Sequence, residues 1–195
     1  MATLTTLPRI ITAALVFLLP AAFQQGQQKA ATRAPQKESA PVPGPEMDQL
    51  KFLRGYWHYV SAYEKTSFYP DGGKGSGTYI TTAGPGGFSQ IAEFSGTSPD
   101  GREAGHEVTT WDPEEDVYKS YVFGNNFPGC IVRTGRWDGT TLIFDADFVL
   151  EGTKVHLQSS TTSNSDGSIT IVEKFSADGG PLQTTLTLKA TREKL

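Results

Sequence analysis

Short stretches of alternating apolar and polar residues fill positions 55–192, and a Gly, Asp or Pro turn cluster separates each stretch from the next. Because successive side chains of a strand point to opposite faces, this alternation predicts half-buried β-strands rather than helices. The connections are too short for parallel crossovers, so strands adjacent in sequence are expected to pair antiparallel. The pattern therefore predicts an all-β up-and-down meander of about ten strands.

The predicted strands are bounded by turn signals such as Asp138-Gly139 and Asp166-Gly167, which supply a residue with positive φ where the chain reverses. A short helix is predicted before the first strand, since Pro45 lies near its start and Gly55 just past its end. The predicted strands are 56–65, 75–82, 87–95, 103–111, 116–124, 130–137, 140–150, 153–162, 168–176 and 182–192.

The two ends of the meander predict that it closes into a barrel. Trp57 opens the first strand and Arg192 ends the last. With an even number of antiparallel strands, closure places these two positions side by side. Both side chains are in phase with the apolar face of their strands, so we expect a cation–π contact of roughly 0.5–2 kcal/mol. The alternative is that Arg192 ends in solvent.

Composition bounds the class of protein. The chain has 195 residues, 37% of them hydrophobic, which suits one globular domain with its own core. The net charge of −4 lacks the basic footprint of a nucleic-acid-binding protein. Cys130 is the only cysteine, so no internal disulfide can form, and we expect it to be a small buried side chain.

The first residues resemble a secretory signal peptide. Arg9 precedes an apolar run of about ten residues that is too short to span a bilayer. We expect residues 1–22 to be a cleaved signal, 23–45 a disordered linker rich in Gln, Ala and Pro, and 46–195 the barrel domain. This organisation predicts a secreted or periplasmic protein without stable membrane insertion after cleavage. The alternative is an uncleaved membrane anchor.

The opening Gly55-Tyr56-Trp57 and the closing Arg192 resemble the signature of the calycin superfamily, which includes lipocalins and fatty-acid-binding proteins. Residues 47–195 are similar to an uncharacterised bacterial family of secreted lipocalin-like proteins. That likeness rests on Leu50, Leu53, Gly86-Gly87-Phe88, His106, Trp111-Asp112, Tyr118, Gly135 and Asp138-Gly139. The resemblance implies a small closed barrel with a central cavity, and it carries no catalytic residue and no cofactor.

The outline is also similar to haem-binding ten-stranded barrels, which use a histidine on a late strand. The last three strands here offer only His156, in phase with Lys154 and therefore on the outer face. That departure argues against haem. One inward histidine and one cysteine also fall short of the three or four ligands of a zinc site.

The candidate ligand-binding residues are those that alternation directs inward. They would line a cavity with few polar groups, as ligand-binding barrels do, or else fill a solid core. Glu173 is also predicted to face inward, with Arg136 as its partner, either anchoring a polar head group or forming a structural ion pair. The predicted set is Tyr59, Phe88, Gln90, Phe94, His106, Tyr121, Phe123, Arg136, Phe144 and Phe148.

Three functions fit this pattern. The first is a non-enzymatic barrel that binds a small apolar or amphipathic molecule. The second is a small-molecule enzyme with His106 as general base in the cavity, supported by Arg136 or Glu173. The third is a structural or protein-interaction domain, which a solidly packed interior would favour.

Overall fold

The computed structural model describes residues 40–193. The predicted signal peptide at 1–22 and most of the predicted linker lie outside the described residues. A short helix, α1 (Pro45–Gln49), and one 3-10 turn (Lys51–Leu53) precede the first strand. The strands are β1 (Gly55–Tyr63), β2 (Gly73–Ala83), β3 (Ser89–Ser98), β4 (Gly101–Asp112), β5 (Val117–Gly124), β6 (Ile131–Asp138), β7 (Thr141–Leu150), β8 (Thr153–Ser163), β9 (Ile169–Ala177) and β10 (Gln183–Arg192).

The strands form one closed antiparallel barrel in which each pairs with its neighbours in sequence and β1 pairs with β10. The predicted ten-stranded up-and-down barrel is therefore confirmed. Tight turns explain the sharp reversals, since Gly139 and Gly167 have φ of 56° and 78° and follow an aspartate. One irregularity, between Thr184 and Leu186, shifts the register of β10 against β9.

The barrel is closed where β1 and β10 meet. Trp57 pairs with Arg192 in register, and the guanidinium lies 4.6 Å from the centre of the indole. The same guanidinium donates to the carbonyl of Phe52 at 2.6 Å, and the Trp57 indole N–H donates to the carbonyl of Leu53 at 2.8 Å. The predicted Trp–Arg contact is confirmed, and it also ties the segment before β1 to the last strand.

The short helix plugs this end of the barrel. Met47 and Leu50 are fully buried and pack against Tyr118, Leu142 and Phe144. The Tyr118 hydroxyl donates to the main-chain carbonyl of Glu46 at 2.8 Å, which fixes the helix across the opening. We call this end the plugged end.

The opposite end, which we call the mouth, carries the turns at 64–72, 99–100, 125–130, 151–152 and 178–182. Cys130 lies in one of these turns and is exposed, so the prediction that it is buried is wrong. The residue follows a Pro-Gly turn and precedes β6, so it lies outside the strand in which it was predicted. Among residues 40–193, no helix has both the length and the apolar character needed to cross a membrane.

Candidate functional site

The interior of the barrel is not filled by its own side chains. Phe94, Glu107, Ile171 and Glu173 point inward by register and lie near the middle of their strands, yet all four remain partly accessible. The Glu107 side chain is 26% exposed. Because the sheet is closed all around, this accessible surface must face space inside the barrel. We call that space the lumen.

Aromatic rings lie against the wall of the lumen because glycines leave room for them. The Tyr59 side chain crosses the inward faces of Gly77 and Gly96, where a Cβ atom would collide with its hydroxyl. The Phe94 ring covers Gly105 in the same way, and a Cβ there would lie 2.6 Å from the ring. The rings therefore coat the wall instead of meeting at the axis.

A buried polar network occupies one side of the lumen. The Glu107 carboxylate accepts hydrogen bonds from Arg133 at 2.6 Å, Ser120 at 2.6 Å and Thr109 at 3.0 Å. The Arg133 guanidinium also donates to the Ser120 hydroxyl and lies 5.2 Å from the centre of the Phe144 ring. Charge pairing with several hydrogen bonds is how a buried ion pair offsets its loss of hydration.

The environment of Glu107 favours its charged form. Burial alone would raise the pKa of this carboxyl, but the Arg133 charge and the hydrogen bonds from Ser120, Arg133 and Thr109 together hold it below its usual value. The pair is therefore charged on both sides at neutral pH, and Glu107 is already neutralised by Arg133.

A second inward carboxylate, Glu103, meets a tyrosine. The Tyr59 hydroxyl crosses β2 and β3 to donate to Glu103 at 2.6 Å. Burial, followed by this hydrogen bond and the Glu103 charge, raises the pKa of Tyr59 well above its usual range. Tyr59 thus stays a hydrogen-bond donor at every physiological pH, and Glu103 forms no ion pair with any residue between 40 and 193.

The third inward carboxylate, Glu173, has no hydrogen-bond partner among the described residues. Burial raises its pKa, the Arg133 charge opposes that rise, and the charges of Glu107 and Glu103 add to it. These groups lie on β4 and β6, across the barrel from β9, so all three carboxylates converge on one region of the lumen. The Glu173 side chain is deep inside the barrel and still partly accessible, so it borders the empty space directly.

Two further inward polar side chains are buried without a partner. Gln90 is 3% exposed, and neither its amide nitrogen nor its carbonyl oxygen has a hydrogen-bond partner in the described structure. The Ser61 hydroxyl, in a residue 5% exposed, is also unpartnered there. Buried polar groups are normally satisfied, so these two are hydrogen-bonding capacity that the protein itself does not use.

Aromatic residues cover the mouth. The Phe68 ring, on the 64–72 turn, lies 5.3 Å from the ring of Phe175, and the Tyr69 ring lies 4.7 Å from that of Tyr63. Burial raises the pKa of Tyr69 to about 12. Entry to the lumen is therefore framed by rings.

Register places five of the ten predicted site residues inside the barrel. These side chains line the lumen or its ends, as alternation predicts, and their role in binding stays a prediction. The inward five are Tyr59, Gln90, Phe94, Phe144 and Phe148.

The predicted inward orientation of the other five is wrong. His106 pairs with Phe123 on the outer face, where their rings stack 4.8 Å apart, and Tyr121 and Arg136 also point outward. Phe88 is 42% exposed in the turn before β3. The prediction assumed that bulky side chains mark the inward face, but on β5 bulky rings lie on both faces, with Tyr118 inside and Tyr121 and Phe123 outside.

The residues that this assumption missed are Glu103, Glu107, Ser120 and Arg133. The predicted partner of Glu173 was Arg136, which lies on the outer face of β6. The cation that faces Glu173 is Arg133, three positions earlier on the inner face of the same strand. One sequence signal could have found the inward phase. Gly105, Gly124 and Gly135 share it, and they face the lumen because rings or close backbone need their space.

The histidines offer nothing to the lumen. His156 lies on the outer face, with its ring nitrogens 2.9 Å from Asp147 and 3.6 Å from Asp145. Within residues 40–193, no group of three or more His, Cys, Asp or Glu side chains is arranged to hold a metal ion.

No protein-family model matches the chain, and no curated protein matches its sequence. Among solved structures, Rv2717c from M. tuberculosis is similar, with a TM-score of 0.51 and 14% identity over 78% of this chain and 99% of that one. The S-type phycobiliprotein lyase CPES from Guillardia theta has a TM-score of 0.48 and 11% identity over 76% of this chain and 92% of that one. The likeness concerns the fold, a lipocalin-like barrel.

Proposed function

We propose that this protein binds a small amphipathic molecule inside the barrel, between the aromatic wall and the buried polar groups. The observation that carries the proposal is the accessible inward surface at the middle of the strands, exemplified by Glu107 and Ile171. A barrel of this size holds one small ligand when its side chains do not fill it. Rings with a few placed polar groups are how such sites are built.

The polar lining favours an amphipathic ligand over a purely apolar one. Glu103 and Glu173 face the lumen, and an apolar molecule would bury Glu173 with no hydrogen bond and Glu103 with only the one from Tyr59. That burial costs free energy, whereas a ligand with one polar end satisfies them. The rings of Phe94 and Phe144 provide contact for the apolar end.

The alternatives have less support. His106 lies on the outer face, so it cannot act as a base inside the cavity as the enzyme hypothesis requires. A structural or interaction domain was expected to have a solid interior, and the accessible inward side chains argue for a hollow one. We also propose, from the sequence alone, that the chain belongs to the secreted bacterial lipocalin-like family and is secreted or periplasmic after loss of residues 1–22. An intact mass measured on exported protein would test that cleavage.

The binding proposal is tested with the neutral fluorophore N-phenyl-1-naphthylamine and with native mass spectrometry of gently purified protein. We expect the dye to brighten on binding, and Phe94→Ala to change its affinity severalfold. Phe123→Ala is the matched control, because it removes a similarly accessible ring from the outer face of a nearby strand. No retained molecule together with no dye binding would contradict the proposal.

A further inference from the structure

The charged groups that face the lumen are unbalanced. Among the described strands, the inward carboxyls are Glu103, Glu107 and Glu173, and Arg133 is the inward cation apart from Arg192 at the plugged end. Arg133 is already paired with Glu107 at 2.6 Å. Glu173 thus shares Arg133 with Glu107, and Glu103 makes no ion pair within residues 40–193.

We propose that the ligand is an organic cation, a protonated amine with an apolar body, whose N–H groups bind Glu173 and Glu103. This inference rests on the proposed function, since it names the ligand class of the same lumen. A buried carboxylate needs a compensating charge or hydrogen bonds. Glu173 has no hydrogen bond among the described residues, and the Arg133 guanidinium that faces it is already paired with Glu107. An ammonium group placed beside it supplies both.

A buried acceptor points to a ligand rich in donors. Ser61 is more than nine-tenths buried, points inward by register and has an unpartnered hydroxyl oxygen in the described structure. This oxygen is an acceptor for an N–H group. An anionic ligand would instead face the Glu103 and Glu173 carboxyls while the one guanidinium is occupied. The lumen therefore disfavours carboxylates and phosphates.

The apolar body of such a ligand fits the rings. Phe94 and Phe144 lie on the wall, and Phe175 lies toward the mouth under Phe68. Aromatic faces near an ammonium group add cation–π attraction. The site therefore combines an acidic patch with aromatic walls, the combination that recognises alkylamines and arylamines.

The test compares three probes of equal length in isothermal titration calorimetry at pH 7: hexylamine, hexanol and hexanoate. The amine carries a positive charge at this pH, as a lysine side chain does. We expect hexylamine to bind about 10- to 100-fold more tightly than hexanol, the effect of a hydrogen-bonded charge, with no binding of hexanoate. Glu173→Gln should remove most of this preference.

Glu93→Gln is the matched control, since it removes an exposed carboxylate from the outer face of β3 and should leave hexylamine affinity unchanged. Circular dichroism checks that each variant folds. If Glu173→Gln does not fold, the amine assignment is still tested by Glu103→Gln and by the ranking of the three probes on the unaltered protein.

Hexanol or hexanoate binding as tightly as hexylamine would overturn the amine assignment and leave the binding proposal standing. Preference for hexylamine that survives both Glu173→Gln and Glu103→Gln would also overturn it. Failure of all three probes and of the naphthylamine dye would overturn both proposals together.

Discussion

At the scale of single residues, the Glu107–Arg133 pair is the strongest charged contact of the interior. The Arg133 side chain is 10% exposed, and its guanidinium lies 2.6 Å from a carboxylate that three donors share. Such a pair stabilises little as a whole, because both groups lose hydration. Breaking it by removing one member leaves a charge buried without its partner, which is costly.

We therefore expect Glu107→Gln to lower the free energy of unfolding by about 3 kcal/mol. Arg133→Met should also be destabilising, since Glu107 then keeps the hydrogen bonds from Ser120 and Thr109 but loses its counter-charge. Urea unfolding of both single variants and of the double variant gives the coupling energy. Additive effects would show that the two side chains do not interact.

The same pair sets a pH dependence. The pKa of Glu107 is lowered on folding, so its stabilisation is present above the usual carboxyl pKa and is lost as the pH falls through the folded value. Glu173 acts in the opposite direction, because its pKa is raised. As the pH falls, Glu107 thus loses its contribution to folding stability, whereas Glu173 stops opposing folding.

At the scale of elements, the alternation of polarity predicted the strands but not always their faces. On β7 the inward residues Leu142, Phe144 and Ala146 are all apolar and both charged residues, Asp145 and Asp147, point outward, so the phase was clear. On β4–β6 the inward positions hold carboxylates, a serine, an arginine and glycines, while Tyr121 and Phe123 lie outside.

The reason is physical. A strand rich in glycine and charge can turn its polar face inward when that face lines the lumen. A counter-charge on a nearby strand, here β6 for β4, then compensates its charge. Arg133 compensates Glu107 only after β4, β5 and β6 have paired, and no local pattern contains that contact. The part of the site that sequence predicts is its aromatic half, with Tyr59 and Phe94, and the part that it misses is the polar half.

The glycines that seat aromatic rings give a prediction for β6. A Cβ on Gly135 would collide with the Phe144 ring, so Gly135→Ala forces the ring toward the lumen. We expect a loss of about 1–3 kcal/mol of unfolding free energy, the usual cost of overpacking. Thermal unfolding measures it.

Phe144→Leu in the same chain is the control, because a shorter side chain leaves room for the added methyl group. Gly135→Ala should then cost much less in the Phe144→Leu background than in the unaltered protein. An equal cost in both backgrounds would mean that the glycine is needed for another reason.

At the scale of the whole molecule, the pairing of β1 with β10, which we call the seam, turns the sheet into a barrel. The pairing of β1 with β10 removes both open edges, and Arg192 fixes the end of that seam through Trp57 and the Phe52 carbonyl. The sequence predicted this closure because the two signature residues lie at the two ends of an even number of strands. The prediction needed the order of the strands but not their inward and outward phase.

Arg192→Ala should therefore lower the free energy of unfolding by about 1–2 kcal/mol, the sum of an exposed cation–π contact and one charge-assisted hydrogen bond. Lys189→Ala, on the outer face of the same strand, is the control and should cost less than 0.5 kcal/mol, about the limit for surface positions. Urea unfolding measures both. Equal stability of the two variants would show that the seam does not depend on Arg192.

The hollow interior also predicts how stability and binding oppose each other. Because burial raises the pKa of Glu173, the folded protein keeps a proton that the unfolded chain loses as the pH rises past the usual carboxyl value. Stability from this group is thus lost between the unfolded and the folded pKa, and Glu173 destabilises the empty barrel at neutral pH.

Glu173→Gln should be more stable than the unaltered protein at pH 7 and no more stable at pH 4. Chemical unfolding across that range, with Glu93→Gln as control, measures the difference. A gain that does not shrink toward acid would contradict the electrostatic origin. A gain at pH 7 would show that the lumen keeps a carboxyl at the expense of its own stability, as a site evolved for a cationic ligand does.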